Sequence, residues 1–80
     1  MAKVTLYKAE HCHLCERAQR QLAELRTELP FDLEEVDISG DPGLEARYRE
    51  WLPVVEIDGG RAFVYYVDEA AFRRKVVAQS

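Results

Sequence analysis

Apolar and polar residues alternate from Lys3 to Lys8, with Val4, Leu6 and Tyr7 as strand formers, and this pattern predicts a first strand. Ala9-Glu10-His11 breaks the alternation. From about Cys12 the period lengthens: Leu14, Ala18, Leu22, Leu25 and Leu29 recur every three or four residues, with Arg17, Arg20, Gln21 and Glu24 elsewhere on the turn. An amphipathic helix is expected there, ended by Pro30. Phe31-Asp32-Leu33-Glu34-Glu35-Val36-Asp37-Ile38 alternates again and predicts a second strand. Ser39-Gly40-Asp41-Pro42-Gly43 supplies a turn, with Asp41 placed to cap a helix that begins at Pro42. Leu44, Tyr48, Trp51 and Leu52 give that short helix its apolar side, and Pro53 stops it. Val54–Ile57, the turn residues Asp58-Gly59-Gly60, and Arg61–Tyr66 predict a hairpin. Asp68 is placed to cap a last helix, with Val67 and Phe72 as a hydrophobic staple across its first turn and Val76 one turn on.

The order is therefore strand, helix, strand, helix, strand, strand, helix, an α/β arrangement without repeats or low-complexity segments. The opening strand-helix-strand should cross over right-handed with parallel strands, and the hairpin should add antiparallel ones. This order puts the segment 12–15 where the first strand ends and the first helix begins, the edge at which open α/β sheets collect ligands.

Composition narrows the reading. Eighty residues at 48% hydrophobic composition fit one domain, 1–80, with one core. Fifteen acidic residues against 11 basic ones give a net charge of −4, with the cations dispersed, which argues against nucleic acid or an anionic membrane as partner. The one basic run, Arg73-Arg74-Lys75, is expected as a cation-rich last helical turn. The N-terminal segment lacks the ~7–15-residue apolar run of a secretory signal, and no stretch approaches the ~20 residues of a membrane span. A cytoplasmic location and a monomer are the expectation.

Both cysteines and both histidines lie in one run, Glu10-His11-Cys12-His13-Leu14-Cys15-Glu16. In a reducing compartment, paired thiols two residues apart point to catalysis or metal binding more than to a structural staple. A Cys12–Cys15 bridge would contribute only ~2 kcal/mol by loop closure. Amide hydrogens and the dipole at a helix start favour a thiolate, which makes Cys12 the expected attacker and Cys15, three residues on along the same helix face, the resolver. His11 and His13 are candidate modulators of Cys12, or exposed bystanders. A closed zinc site normally draws on two separated ligand pairs, but no cysteine or histidine follows Cys15. A metal or iron-sulfur centre held by the pair, bridging two chains, is the alternative, and inert core packing is the third reading.

With these elements in place the chain resembles the thioredoxin superfamily, and most of all its small glutaredoxin-like proteins. The matching residues are Val4-Thr5-Leu6-Tyr7 before Cys12-x-x-Cys15, Arg17-Ala18, Glu35-Val36-Asp37 with Asp41-Pro42, and Leu52-Pro53-Val54-Val55 with Ile57-Asp58-Gly59. The resemblance implies a thioredoxin-like fold, a four-stranded mixed sheet with helices on both faces, and a thiol–disulfide oxidoreductase that needs no cofactor. It also implies that Pro53 follows a cis bond and faces the cysteines, that the backbone of Leu52 pairs with an extended substrate, and that Lys8 and Asp68 engage glutathione's carboxylate and amine. Substrates would be disulfide-bearing proteins or small thiols, with glutathione or a thioredoxin-type reductase as electron donor. Two positions depart from the family. His13-Leu14 stands between the cysteines in place of Pro-Tyr, and Val64-Tyr65-Tyr66-Val67 stands where glutaredoxins carry Gly-Gly, which makes glutathione a poor partner.

Overall fold

Cys15, Ala18, Leu22 and Leu25 form the buried stripe of the first helix, α1 (His13–Glu28), in a computed structural model that describes residues 1–79. The expected stripe holds at Ala18, Leu22 and Leu25 and differs at its ends: Leu14 and Leu29 are only half-buried, and Cys15 takes the core position one turn before Ala18. The helix lies between strands β1 (Ala2–Lys8) and β2 (Phe31–Asp37), which pair in parallel from Ala2↔Phe31 to Lys8↔Asp37. Helix α2 (Pro42–Tyr48) follows, capped by Asp41, whose carboxylate accepts the Leu44 N–H at 3.2 Å, and runs into a 3-10 turn, Arg49–Trp51. Strands β3 (Val54–Ile57) and β4 (Gly60–Val64) then add antiparallel pairings, giving the sheet order β2-β1-β3-β4.

The β3–β4 hairpin turns on Asp58-Gly59, both with positive φ (51° and 84°), as a two-residue loop that matches strand twist requires. Asp58 also ties the hairpin to β1, giving its N–H to the Lys3 carbonyl and accepting the Lys3 N–H. Strand β4 is shorter than expected. It ends at Val64, because Tyr65 adopts φ +67° and the Tyr66 N–H folds back to the Val64 carbonyl at 2.7 Å. Tyr65 and Tyr66 therefore lie in a turn, where strand alternation does not set their faces. Helix α3 (Glu69–Gln79) begins as anticipated: Asp68 Oδ1 accepts the Ala71 N–H at 3.1 Å, and Val67 and Phe72 are both buried. The basic run is not its last turn. Arg73 sits mid-helix and forks onto Glu28 of α1 at 3.0 and 3.2 Å.

Two apolar clusters flank the sheet. Val4, Leu6, Val55 and Ile57 meet Ala18, Leu22 and Leu25 of α1 and Phe72 and Val76 of α3 on one face. On the other, Ile38, Tyr48 and Val54 gather Tyr7, Leu44 and Leu52 around α2. Trp51, expected on that apolar side, is 41% exposed because the chain has already left α2 for the 3-10 turn.

Tyr7 stacks on Tyr48 at 4.1 Å between ring centroids, and the Tyr48 hydroxyl donates to Glu56 at 3.3 Å. Hydrogen bonding to Tyr48, then burial and the charge of Glu56, push the Tyr7 phenol up to about 12. A raised folded value favours the protonated ring. Its contribution to stability is complete below the unfolded value of ~10 and is lost as pH rises through about 12. An ultraviolet titration should show one late-ionising tyrosine that Tyr7→Phe removes, and a late component surviving in that variant would contradict the assignment.

Candidate functional site

The turn from β1 to α1 is fixed at both ends. The Lys8 carbonyl accepts the Ile38 N–H at 2.8 Å, and the Glu10 N–H donates to Ser39 Oγ at 3.2 Å, so the loops leaving β1 and β2 are joined. Ser39 is held in turn by Asp37, which accepts its N–H at 2.8 Å. The Ser39 backbone and hydroxyl keep the Asp37 carboxyl below the usual carboxylate range. His11 then takes φ +57°, a left-handed conformation uncommon for a residue with a Cβ, and turns the chain into Cys12.

Cys12 is the N-cap of α1. Its backbone is extended, its carbonyl accepts the Glu16 N–H at 3.1 Å, and its Sγ accepts the Cys15 N–H at 3.1 Å. A cysteine thus occupies a position usually filled by Ser, Thr, Asp or Asn, and its sulfur faces the free amides of the first turn. Cys15 lies one turn in, with the two Cα atoms 5.2 Å apart, and the pair is joined as a disulfide. The two sulfurs differ in access. Cys15 is 2% exposed, whereas Cys12 is half-buried and opens into a cleft of about 320 Å³. Ala9, Glu10, His11, Ser39, Arg49 and Leu52 complete its walls.

The other expected site residues divide. Leu52 lines the cleft with Cys12; Pro53 follows a cis bond and is buried, outside the cleft lining. His11 is in the cleft wall, but the His13 side chain is 99% exposed and, among the described residues, pairs with Glu16 alone, at 3.5 Å. Lys8 and Asp68 are engaged elsewhere. The Lys8 ammonium is 2.9 Å from Glu35, which also accepts from Gln19, while the Asp68 carboxylate caps α3. Neither lines the Cys12 cleft. Four residues without a site role in the sequence reading do: Ala9 and Glu10, taken as the break after the first strand, Ser39, taken as part of a turn, and Arg49, one dispersed cation among many. The signal for Arg49 was its place one turn before Leu52-Pro53, since whatever precedes that proline must lie beside the cysteines if Leu52 does.

No helix among the described residues is long and apolar enough to cross a membrane. Comparison with known proteins agrees with this architecture. An uncharacterized protein of Mycobacterium tuberculosis is 38% identical over 79 residues, covering 92% of this chain and 81% of the relative. A solution structure of a protein from Nitrosomonas europaea superposes with a TM-score of 0.79 at 27% identity, over 94% of this chain and 91% of that one. Thioredoxin from Halobacterium salinarum shares the fold, with a TM-score of 0.71 over 96% of this chain and 73% of its own, at 16% identity. Residues 3–76 match the glutaredoxin-like domain family (DUF836), and the chain belongs to that family.

Proposed function

We propose that this protein is a thiol–disulfide oxidoreductase in which Cys12 attacks and Cys15 resolves. The observation that carries the reading is the unequal access of two cysteines at bonding distance: Cys12 opens to a cleft at the helix start and Cys15 is sealed in the core. In the dithiol form, the Cys12 thiolate attacks one sulfur of a substrate disulfide. A Cys12–substrate S–S bond forms, the substrate's own S–S bond breaks, and the departing thiolate takes the electron pair and then a proton. The Cys15 thiolate next attacks Cys12 Sγ, closing the intramolecular disulfide and expelling the second substrate thiolate. The substrate gains two electrons and the dithiol loses two. The N–H that Cys15 donates to Cys12 Sγ favours a charged sulfur there, and a stabilised thiolate is also the better leaving group when Cys15 attacks.

The expected substrates are a disulfide-bearing protein or a small disulfide, in the cytoplasm, and the return to the dithiol needs a thiol reductant. We expect a dithiol reductase of thioredoxin type to serve better than glutathione. The Tyr65 hydroxyl reaches the Glu50 carbonyl at 3.0 Å and its ring lies 6.2 Å from Trp51, so bulky side chains surround the stretch where a glycine pair would let a peptide backbone approach. The test supplies each donor in turn to the oxidised protein and follows thiol release. A parallel titration adds glutathione to Cys15→Ser protein with a blocked Cys12 and follows amide shifts. Saturation at micromolar glutathione, centred on Leu52, Pro53 and Asp68, would instead make this a glutathione-dependent enzyme.

The second reading, a metal or iron-sulfur centre on the cysteine pair, lacks a comparable observation. Among the described residues no group of three His, Cys, Asp or Glu side chains is placed to hold a metal ion.

A further inference from the structure

Ala9, Glu10 and His11 carry the chain from the end of β1 to Cys12. Among the described residues they make one hydrogen bond between them, from the Glu10 N–H to Ser39 Oγ at 3.2 Å. Ser39 can hold them because it is itself held. Its N–H donates to the Asp37 carboxylate at 2.8 Å, an Asx turn at the end of β2. Beside it, the Ile38 N–H reaches the Lys8 carbonyl at 2.8 Å, the Asp41 N–H reaches the Ile38 carbonyl at 3.1 Å, and the Ile38 side chain is buried. A fixed loop thus presents the hydroxyl to a segment with no other hydrogen bond. That segment has reason to open. His11 sits at φ +57°, a left-handed conformation that a residue with a Cβ keeps only where its surroundings impose it. A return of His11 to negative φ would change the angle at which the chain enters α1. Cys12 would then lose the extended backbone, φ −115° and ψ 103°, that lets its Sγ accept the Cys15 N–H.

We propose that Ser39 is a positioning residue for Cys12, its hydroxyl keeping the turn at residues 9–11 closed and with it the cap geometry that sets the reactivity of the Cys12 sulfur. The proposal rests on the reading that Cys12 is the attacking thiol. Ser39 acts through Glu10 and His11 and not on the sulfur. Water competes for both partners of the bond at this exposed position, so the bond changes populations severalfold and not by orders of magnitude.

The experiment follows alkylation of Cys12 in the reduced protein as a function of pH, with mass spectrometry to locate the label. Ser39→Ala should raise the midpoint of the profile by about 0.7 pH unit, an approximately fivefold loss of thiolate at neutral pH, as expected for one hydrogen bond. Ser39→Thr, which keeps the hydroxyl, should restore the wild-type midpoint. The decisive comparison repeats Ser39→Ala in a His11→Gly background. Glycine takes either sign of φ, so loss of the tie releases no strain there and the shift should shrink to about half or less. Glu10 and Arg49 share the cleft with Cys12 and His11, and none of these differs within either Ser39/Ala39 pair, so their charges cancel. A shift of equal size in both backgrounds would mean that the hydroxyl acts on the sulfur directly, and it would overturn the proposal. So would a Ser39→Ala midpoint equal to wild type, whatever happens to the unfolding temperature. The disulfide reaction is read separately, as consumption of hydroxyethyl disulfide by the reduced protein. It should fall about two- to threefold at neutral pH in Ser39→Ala, because the remaining thiolate is the more basic and the better nucleophile. If wild type consumes none while the alkylation midpoint moves as expected, the oxidoreductase reading fails and the positioning of Cys12 stands.

Discussion

Cys12→Ser protein should reduce no disulfide at any measurable rate, whereas Cys15→Ser protein should stop halfway, as a covalent adduct on Cys12. A serine hydroxyl at Cys12 keeps the cap geometry but has no thiolate to offer, so the first exchange cannot begin. Cys15 does not substitute for it, because at 2% exposure its sulfur is closed to an external disulfide. With Cys15 replaced, the first exchange proceeds and the second cannot. Mass spectrometry after a disulfide challenge should therefore find one substrate moiety on Cys12, releasable by an added thiol. Loss of activity in either variant should not reflect unfolding. The bridge closes too short a loop to contribute more than ~2 kcal/mol, and it joins no distant elements. Far-ultraviolet circular dichroism of both variants should match wild type. An adduct on Cys15 in the Cys12→Ser protein, formed at an undiminished rate, would exchange the two roles.

The elements of the fold were legible because local signals and tertiary demands coincide. Asp41-Pro42 and Val67-Asp68 start helices by cap and staple chemistry that needs no knowledge of the rest of the chain, and Asp58-Gly59 folds as the two-residue turn that its residues favour. Where the reading went astray, a non-local contact decided. Val64-Tyr65-Tyr66 has strand composition throughout, but Tyr65 turns at φ +67°, with its hydroxyl donating to the Glu50 carbonyl and the Tyr66 N–H folding back to the Val64 carbonyl, so the strand ends two residues early. Arg73-Arg74-Lys75 suggested a helix end, yet Arg73 is positioned by Glu28, 45 residues away. The candidate site was half legible for a similar reason. Cys12 and Cys15 announce themselves as a motif. Ser39 and Arg49 come to the cleft only because α1 carries the chain over to β2, whose exit loop then lies beside that of β1. Lys8 and Asp68 illustrate the converse. Both have the chemistry for recognition, but Asp68 caps α3, as its place in the sequence already indicated, and Lys8 is held by Glu35 across the β1–β2 pairing, which sequence alone does not show.

Phe72→Ala should be the most damaging single substitution outside the cysteine pair, costing about 3–5 kcal/mol. Phe72 is fully buried, meets Phe31 edge-on at 5.2 Å between ring centroids and lies 6.4 Å from Phe63. It thereby joins α3 to β2 on one edge of the sheet and β4 on the other. Removing its ring leaves a cavity that neighbours on three elements cannot close together, since each is held in register by the sheet or by α1. For a domain of this size, total stability is on the order of 4–12 kcal/mol, so the variant should be partly unfolded at ambient temperature if the lower figure applies. The midpoint of thermal unfolding should fall by roughly 15–30 °C. Phe72→Leu, which restores most of the volume, should recover much of the loss. Val77→Ala on the same helix, at a side chain 60% exposed, should change stability by no more than about 0.5 kcal/mol. The effect should also reach the end of the molecule that carries the cysteines. Phe72 shares its core cluster with Ala18 and Leu22 of α1, the helix that holds Cys15 out of solvent. In Phe72→Ala protein that remains folded, Cys15 should therefore be alkylated faster than in reduced wild type. An unfolding midpoint within a degree or two of wild type, with Cys15 no more reactive, would show that α3 is not part of the wall behind Cys15.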